Sequence, residues 1–170
     1  MDASELDLAR QGCRVALERC QAVIDHLTPE QYAQAPEPHS SVGAHVRHVL
    51  DYFACFLRGL AGASVDYDAR ERNPALEHNP DIARQAIAQA TARLEALNSD
   101  DPLEVCYEVA PGGVRPRLPS TISRELAFLS FHAVHHVALM VMTANLMGIE
   151  LPHGMGLAYS TKTYLDSQEG

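Results

Sequence analysis

Histidines at helical spacing are the residues of this chain best suited to chemistry: Phe131-His132-Ala133-Val134-His135-His136, with His45 and His48 far upstream. Residues four apart on a helix share a face, so His132 and His136 can point at one ion. Histidine is the commonest metal-binding side chain, through either neutral ring nitrogen. Two ligands from one helix and a third from another would make a three-histidine site with coordination positions left for water or substrate. A divalent ion held by three neutral imidazoles keeps its full charge. It then acidifies a bound water and readily deprotonates a bound thiol.

The helices that carry these residues set which of them can meet. On the last helix Leu129, His132, His136, Met140 and Thr143 fall on one line at steps of three and four. That line faces inward, where both imidazoles need partners. His135 lies off it, at the surface or an interface. His45 and His48 both border the apolar face of an earlier helix, and periodicity leaves the third ligand open between them. Tyr52 and Cys55 continue the same edge and are candidates to line a pocket. His26, His39, His78 and His153 carry no spacing argument and read as surface residues.

The positioning elements follow from apolar periodicity and punctuation. A first helix runs from about Ser4 to Leu27, its stripe including Leu6, Cys13, Leu17, Cys20 and Ile24, and Thr28-Pro29 ends it. After the linker at Pro36-Glu37-Pro38, Ser40 or Ser41 caps a second helix that reaches about Leu60. Residues 62–79 read as a polar loop. A third helix extends from about Asp81 to Asn98. Leu103 to Val109 alternates like a half-buried strand, Pro111-Gly112-Gly113 is a turn, and Pro116 and Pro119 make any return strand short and edge-like. Thr121 caps the longest helix, which Gly148 ends after about Met147, and the tail from Glu150 is expected to lie across the bundle. The chain therefore reads as one all-α domain over residues 1–170, a four-helix bundle with a short β-hairpin before the last helix.

Composition narrows the function classes. Thirteen basic residues against 22 acidic ones give a formal net charge of -9, which disfavours nucleic acid or an anionic membrane as the main partner. No run of about 18 apolar residues is visible, so no membrane span is expected. The acidic start Met1-Asp2-Ala3-Ser4-Glu5 lacks the apolar core of a signal peptide, which makes a cytoplasmic location the expectation. Cys13, Cys20, Cys55 and Cys106 form no Cys-x-x-Cys pair and read as reduced core cysteines.

Ser41-Val42-Gly43-Ala44-His45-Val46-Arg47-His48-Val49 resembles the second-helix motif of the DinB/YfiT-like metalloprotein superfamily, and His132-Ala133-Val134-His135-His136 resembles its last-helix motif. The resemblance implies His48, His132 and His136 as ligands of one divalent ion. Zinc, nickel and iron all suit imidazole. It also implies an up-down-down-up helix order and a homodimer. Members of known activity use a low-molecular-weight thiol (bacillithiol, mycothiol or glutathione) as cosubstrate. By analogy the chain would activate such a thiol for transfer to a small electrophilic substrate. The alternatives are hydrolysis through metal-bound water and a non-catalytic metal-binding or stress-response module. No catalytic residue is assigned. His45, His135, Tyr52 and Glu125 are candidates for the pocket or for holding an imidazole N–H. Arg70 and Arg72 are candidates to receive a carboxylate if their loop folds over the site.

Overall fold

A computed structural model describes residues 4–168. Met1, Asp2 and Ala3, on which the reading of the N-terminus rests, lie outside the described residues. Among the described residues the chain is mostly helical, with seven α-helices and a small three-stranded sheet. Ser4 and Asp7 form a reciprocal capping box at the start of α1 (Glu5–Asp25). Thr28 and Gln31 do the same for α2 (Pro29–Ala33), with Pro29 in the first turn, where its missing N–H costs nothing. The Thr28-Pro29 pair expected to end a helix therefore also starts one. Ser41, accepting from Ala44 N, opens α3 (Val42–Gly59). After the short α4 (Ala75–His78), Asn79 accepts from Asp81 N and Ile82 N to open α5 (Pro80–Glu95). Thr121 opens α6 (Ile122–Leu146), and α7 spans Tyr159–Gln168.

The helices α1 and α3 each pack on both α5 and α6. Their inner faces supply Leu17, Ile24, Phe53 and Phe56, and α6 supplies Leu126, Leu129, Val137 and Met140, all buried. Each such side chain contributes roughly 1.5–3 kcal/mol on leaving water. Among the described residues α6 alone is long and apolar enough, by length and composition, to cross a membrane, a test that a core helix also passes. Here Leu126, Leu129, Val137 and Met140 are buried in the packing on α1 and α3, while Phe131, Met142 and Leu146 stay exposed.

The expected hairpin is part of a larger sheet. β2 (Pro102–Cys106) and β3 (Arg117–Thr121) pair antiparallel, and β1 (Ser64–Asp66) pairs parallel with β2. β1 lies in the segment expected to be a loop. Three residues are too few to show alternation, and what defines the strand is pairing with a distant partner. Glu104 N donates to Ala63 O, and Tyr67 N donates to Cys106 O. Pro119 sits on the edge strand β3, where a residue without an N–H is tolerated. The sheet ties two helices together: α3 passes through the 3-10 turn Leu60–Gly62 into β1, and β3 continues directly into α6.

Two glycines are needed where they stand. A Cβ on Gly43 would lie 2.1 Å from the Glu77 carbonyl oxygen, so only glycine lets α3 approach α4 this closely. Gly148, with φ 74°, takes the left-handed conformation that stops α6. The tail crosses α6 as expected, and Tyr159 Oη donates to the Gly12 carbonyl. Beyond it the chain forms the exposed α7 rather than a loose end.

Candidate metal centre

The packing of α3 on α6 brings His48, His132 and His136 together, each half-buried. One ring nitrogen from each lies within 4.8 Å of the others, and the ring centroids are 4.6–5.1 Å apart. Nitrogens bound tetrahedrally to one zinc stand about 3.4 Å apart, so closure onto an ion needs only small side-chain rotations. His132 Nε2 is buried and has no hydrogen-bond partner. An imidazole nitrogen left alone in this way costs about 1–3 kcal/mol unless something binds it. A cation held between the three rings would supply such a partner.

The electrostatics keep the trio in the ligating form. Burial pushes the His48 and His132 imidazoles down to about 4 and His136 to about 3. The charges of Arg70 and Arg47 add to the effect on His48, and the neighbouring histidines add to it on His132 and His136. At neutral pH all three are uncharged and present lone pairs.

Position separates the two histidines that periodicity left equivalent. His48 joins the trio, whereas His45 reaches past it: its Nδ1 lies 3.2 Å from His136 Nδ1. One of these nitrogens donates to the other. Either way His136 Nδ1 is engaged and Nε2 remains for other bonds. His135 is exposed and meets the His136 ring edge-on. A cleft of about 280 Å3, lined by Pro38, His39, His45, Met142 and Thr143 among others, opens beside His45.

On the opposite side the Tyr52 ring lies 4.3 Å from His132 and 5.0 Å from His48. The loop after β1 folds over it. The Arg70 guanidinium sits 4.6 Å over the Tyr52 ring while Nη1 donates to Tyr67 O at 2.8 Å. Arg72 is exposed, near enough for its charge to disfavour protonated His48. Glu125 does not hold an imidazole. It is 2% exposed and accepts from Tyr67 Oη at 2.8 Å and Ser120 Oγ at 2.6 Å. Its carboxylate thus fixes Tyr67, whose ring stacks on Tyr52. Sequence reasoning missed Tyr67, because a tyrosine in a polar loop carries no spacing signal. Cys55 is buried with its thiol on the Asp66 carbonyl, and Cys13 has its own on Leu126 O.

The model of the DinB superfamily matches residues 14–140, most of the chain and all three clustered histidines. This chain belongs to the DinB superfamily. A curated relative, FK506-binding protein 5 of Rhizopus delemar, is 29% identical over 108 residues. Those residues are 61% of this chain and 28% of that protein, so the chain spans well under half of the relative's length. No solved structure matches it. The DinB match starts inside α1 and ends at Met140, one turn beyond His136, leaving the tail and α7 outside it.

Proposed function

We propose that this DinB protein binds one divalent metal ion through His48, His132 and His136 and uses it to activate a small nucleophile. The observation that carries the reading is the convergence of three neutral histidines, one of which, His132, has a buried Nε2 with no hydrogen-bond partner. Zinc, nickel and iron fit the donor set. When bound, the ion supplies Lewis acidity, which makes a thiol or a water beside it a better nucleophile. The protein's own thiols are engaged elsewhere, with Cys13, Cys55 and Cys106 on the carbonyls of Leu126, Asp66 and Arg115 and Cys20 buried in the core, so the thiol of this reading comes from outside. Its transfer to a small electrophile is the activity we assign. His45 orients the His136 ring, and Tyr52 walls one side of the trio. The packing of α1 and α3 on both α5 and α6 supports a four-helix bundle, for which the family resemblance suggests the up-down-down-up order in one domain. A second copy is the partner we expect on the outer face of α6, where Phe131, Met142 and Leu146 stay exposed; sedimentation tests that.

Elemental analysis of untagged protein tests the centre itself. We expect one divalent ion per chain, lost in His136→Ala and in His132→Ala. Metal-free protein from native purification, with no uptake on titration, would sink the reading. Turnover of an electrophile with thiol present and none without it separates transfer from hydrolysis.

A further inference from the structure

We propose that the cavity between α3 and α5, apart from the histidine trio, binds a small elongated zwitterion, with its cationic head on Asp51 and its anionic end on Arg93. The proposal does not depend on the metal reading, because none of the clustered histidines lines this cavity. It encloses about 350 Å3, within the range of small-molecule sites, roughly 300–1,000 Å3. Asp51, Ala54 and Arg58 fall at steps of three and four along α3, and Ile82, Ala86, Gln89 and Arg93 do the same along α5. The small side chains of Ala54, Ala86 and Ala90 leave the room between the two helices.

The ends of the cavity carry opposite charges, and each has bonding capacity left. Asp51 is 4% exposed, and its carboxylate meets two donors at long range, Asn73 N at 3.3 Å and Arg47 Nη1 at 3.4 Å. An ionised carboxylate has about four acceptor positions. Arg47 is shared with a second carboxylate, its Nε lying 2.9 Å from Glu77 Oε2. At the other end Arg93 Nη2 donates to Leu57 O at 2.7 Å, which fixes the guanidinium without neutralising it. Arg93 makes no ion pair among the described residues, whereas Arg58 and Glu71 pair with each other at 3.2 Å and add no net charge. Leu57 is six residues beyond Asp51, about 9 Å of helix rise. Between the ends, Ala54, Ala86 and Ala90 offer an apolar wall that suits a methylene stem. A lone cation would meet Arg58 and Arg93, and a lone anion would meet Asp51. A molecule with both charges on a chain of this length satisfies the two ends together.

Calorimetric titration with 6-aminohexanoate tests this, against 4-aminobutyrate, hexylamine and hexanoate. The long amino acid should saturate one site per chain, and the shorter one and the two singly charged analogues should each bind about tenfold more weakly. Ala54→Leu, at an exposed position, fills the cavity and should abolish binding with an unchanged circular dichroism spectrum. Asp51→Asn should weaken 6-aminohexanoate about tenfold or more, and Arg93→Ala should weaken it without weakening hexylamine. Chelator-treated and zinc-supplied protein should bind alike. No saturable binding by wild type, equal affinity in Ala54→Leu, or a dependence on zinc overturns the proposal.

Discussion

Acid should destabilise the metal-free protein well above the range in which its carboxylates titrate. His48 and His132 are held at about 4 and His136 at about 3, against an ordinary 6.5. As pH falls below 6.5 the unfolded chain takes up protons that the folded one refuses. Stability is therefore full above that value and is lost progressively toward pH 4. The three side chains are partly exposed and titrate as a coupled set, so roughly 1 kcal/mol each, or about 3 kcal/mol together, is expected after screening. For a chain of this size that lowers Tm by roughly 6–12 °C. Asp7, Asp66 and Asp100, which hydrogen bonds and arginines hold low, give up their share only below about pH 4. Asp51, raised by burial, works in the opposite direction and is common to all variants. Circular dichroism melts of chelator-treated protein between about pH 7 and about pH 4.5 measure the loss, and a His132→Gln/His136→Gln variant should lose much less. An unchanged Tm across that interval, or the same slope in the double variant, would refute the electrostatic account. Zinc should flatten the wild-type curve, because an ion on the imidazoles competes with the protons.

His45→Ala should weaken zinc about 10- to 100-fold by freeing the His136 ring, while His26→Ala leaves it unchanged; competition with a chromophoric chelator reads both. Gly43→Ala forces a Cβ into the Glu77 carbonyl and should cost about 1–3 kcal/mol in a urea titration, with α4 lifting away from α3. Glu125→Gln keeps the shape but removes the charge that Tyr67 and Ser120 donate to; a loss of about 1–3 kcal/mol is expected. That variant should also raise hydrogen exchange in residues 67–72, and undiminished protection there would count against Glu125 as the anchor of the loop.

Much of this architecture was legible where a side chain acts on its own backbone. Ser4, Ser41 and Thr121 mark helix starts because a hydroxyl oxygen in that position satisfies an N–H that the helix leaves free. The inward pair His132 and His136 was legible for the same local reason, helical periodicity. What was not legible depends on distant partners. β1 exists only because β2 lies beside it, and Tyr67 matters only because Glu125 waits under it. His45 and His48 are equivalent by spacing; the position of α6 against α3 separates them. The family resemblance resolved that pair toward His48, and His48 is the one found in the trio.

The sheet that continues α3 into β1 and β3 into α6 has a kinetic consequence. The histidines that meet come from segments about 90 residues apart, as the 91-residue separation of His45 and His136 illustrates. A slip of one residue along α6 would move its imidazoles by about 1.5 Å and turn them by roughly 100°, away from His48. On the proposed metal reading, high-affinity capture during refolding should therefore wait until strand pairing has fixed that register. Long-range pairing of this kind is slow. Metal uptake followed by stopped flow becomes a clock for the last step of folding.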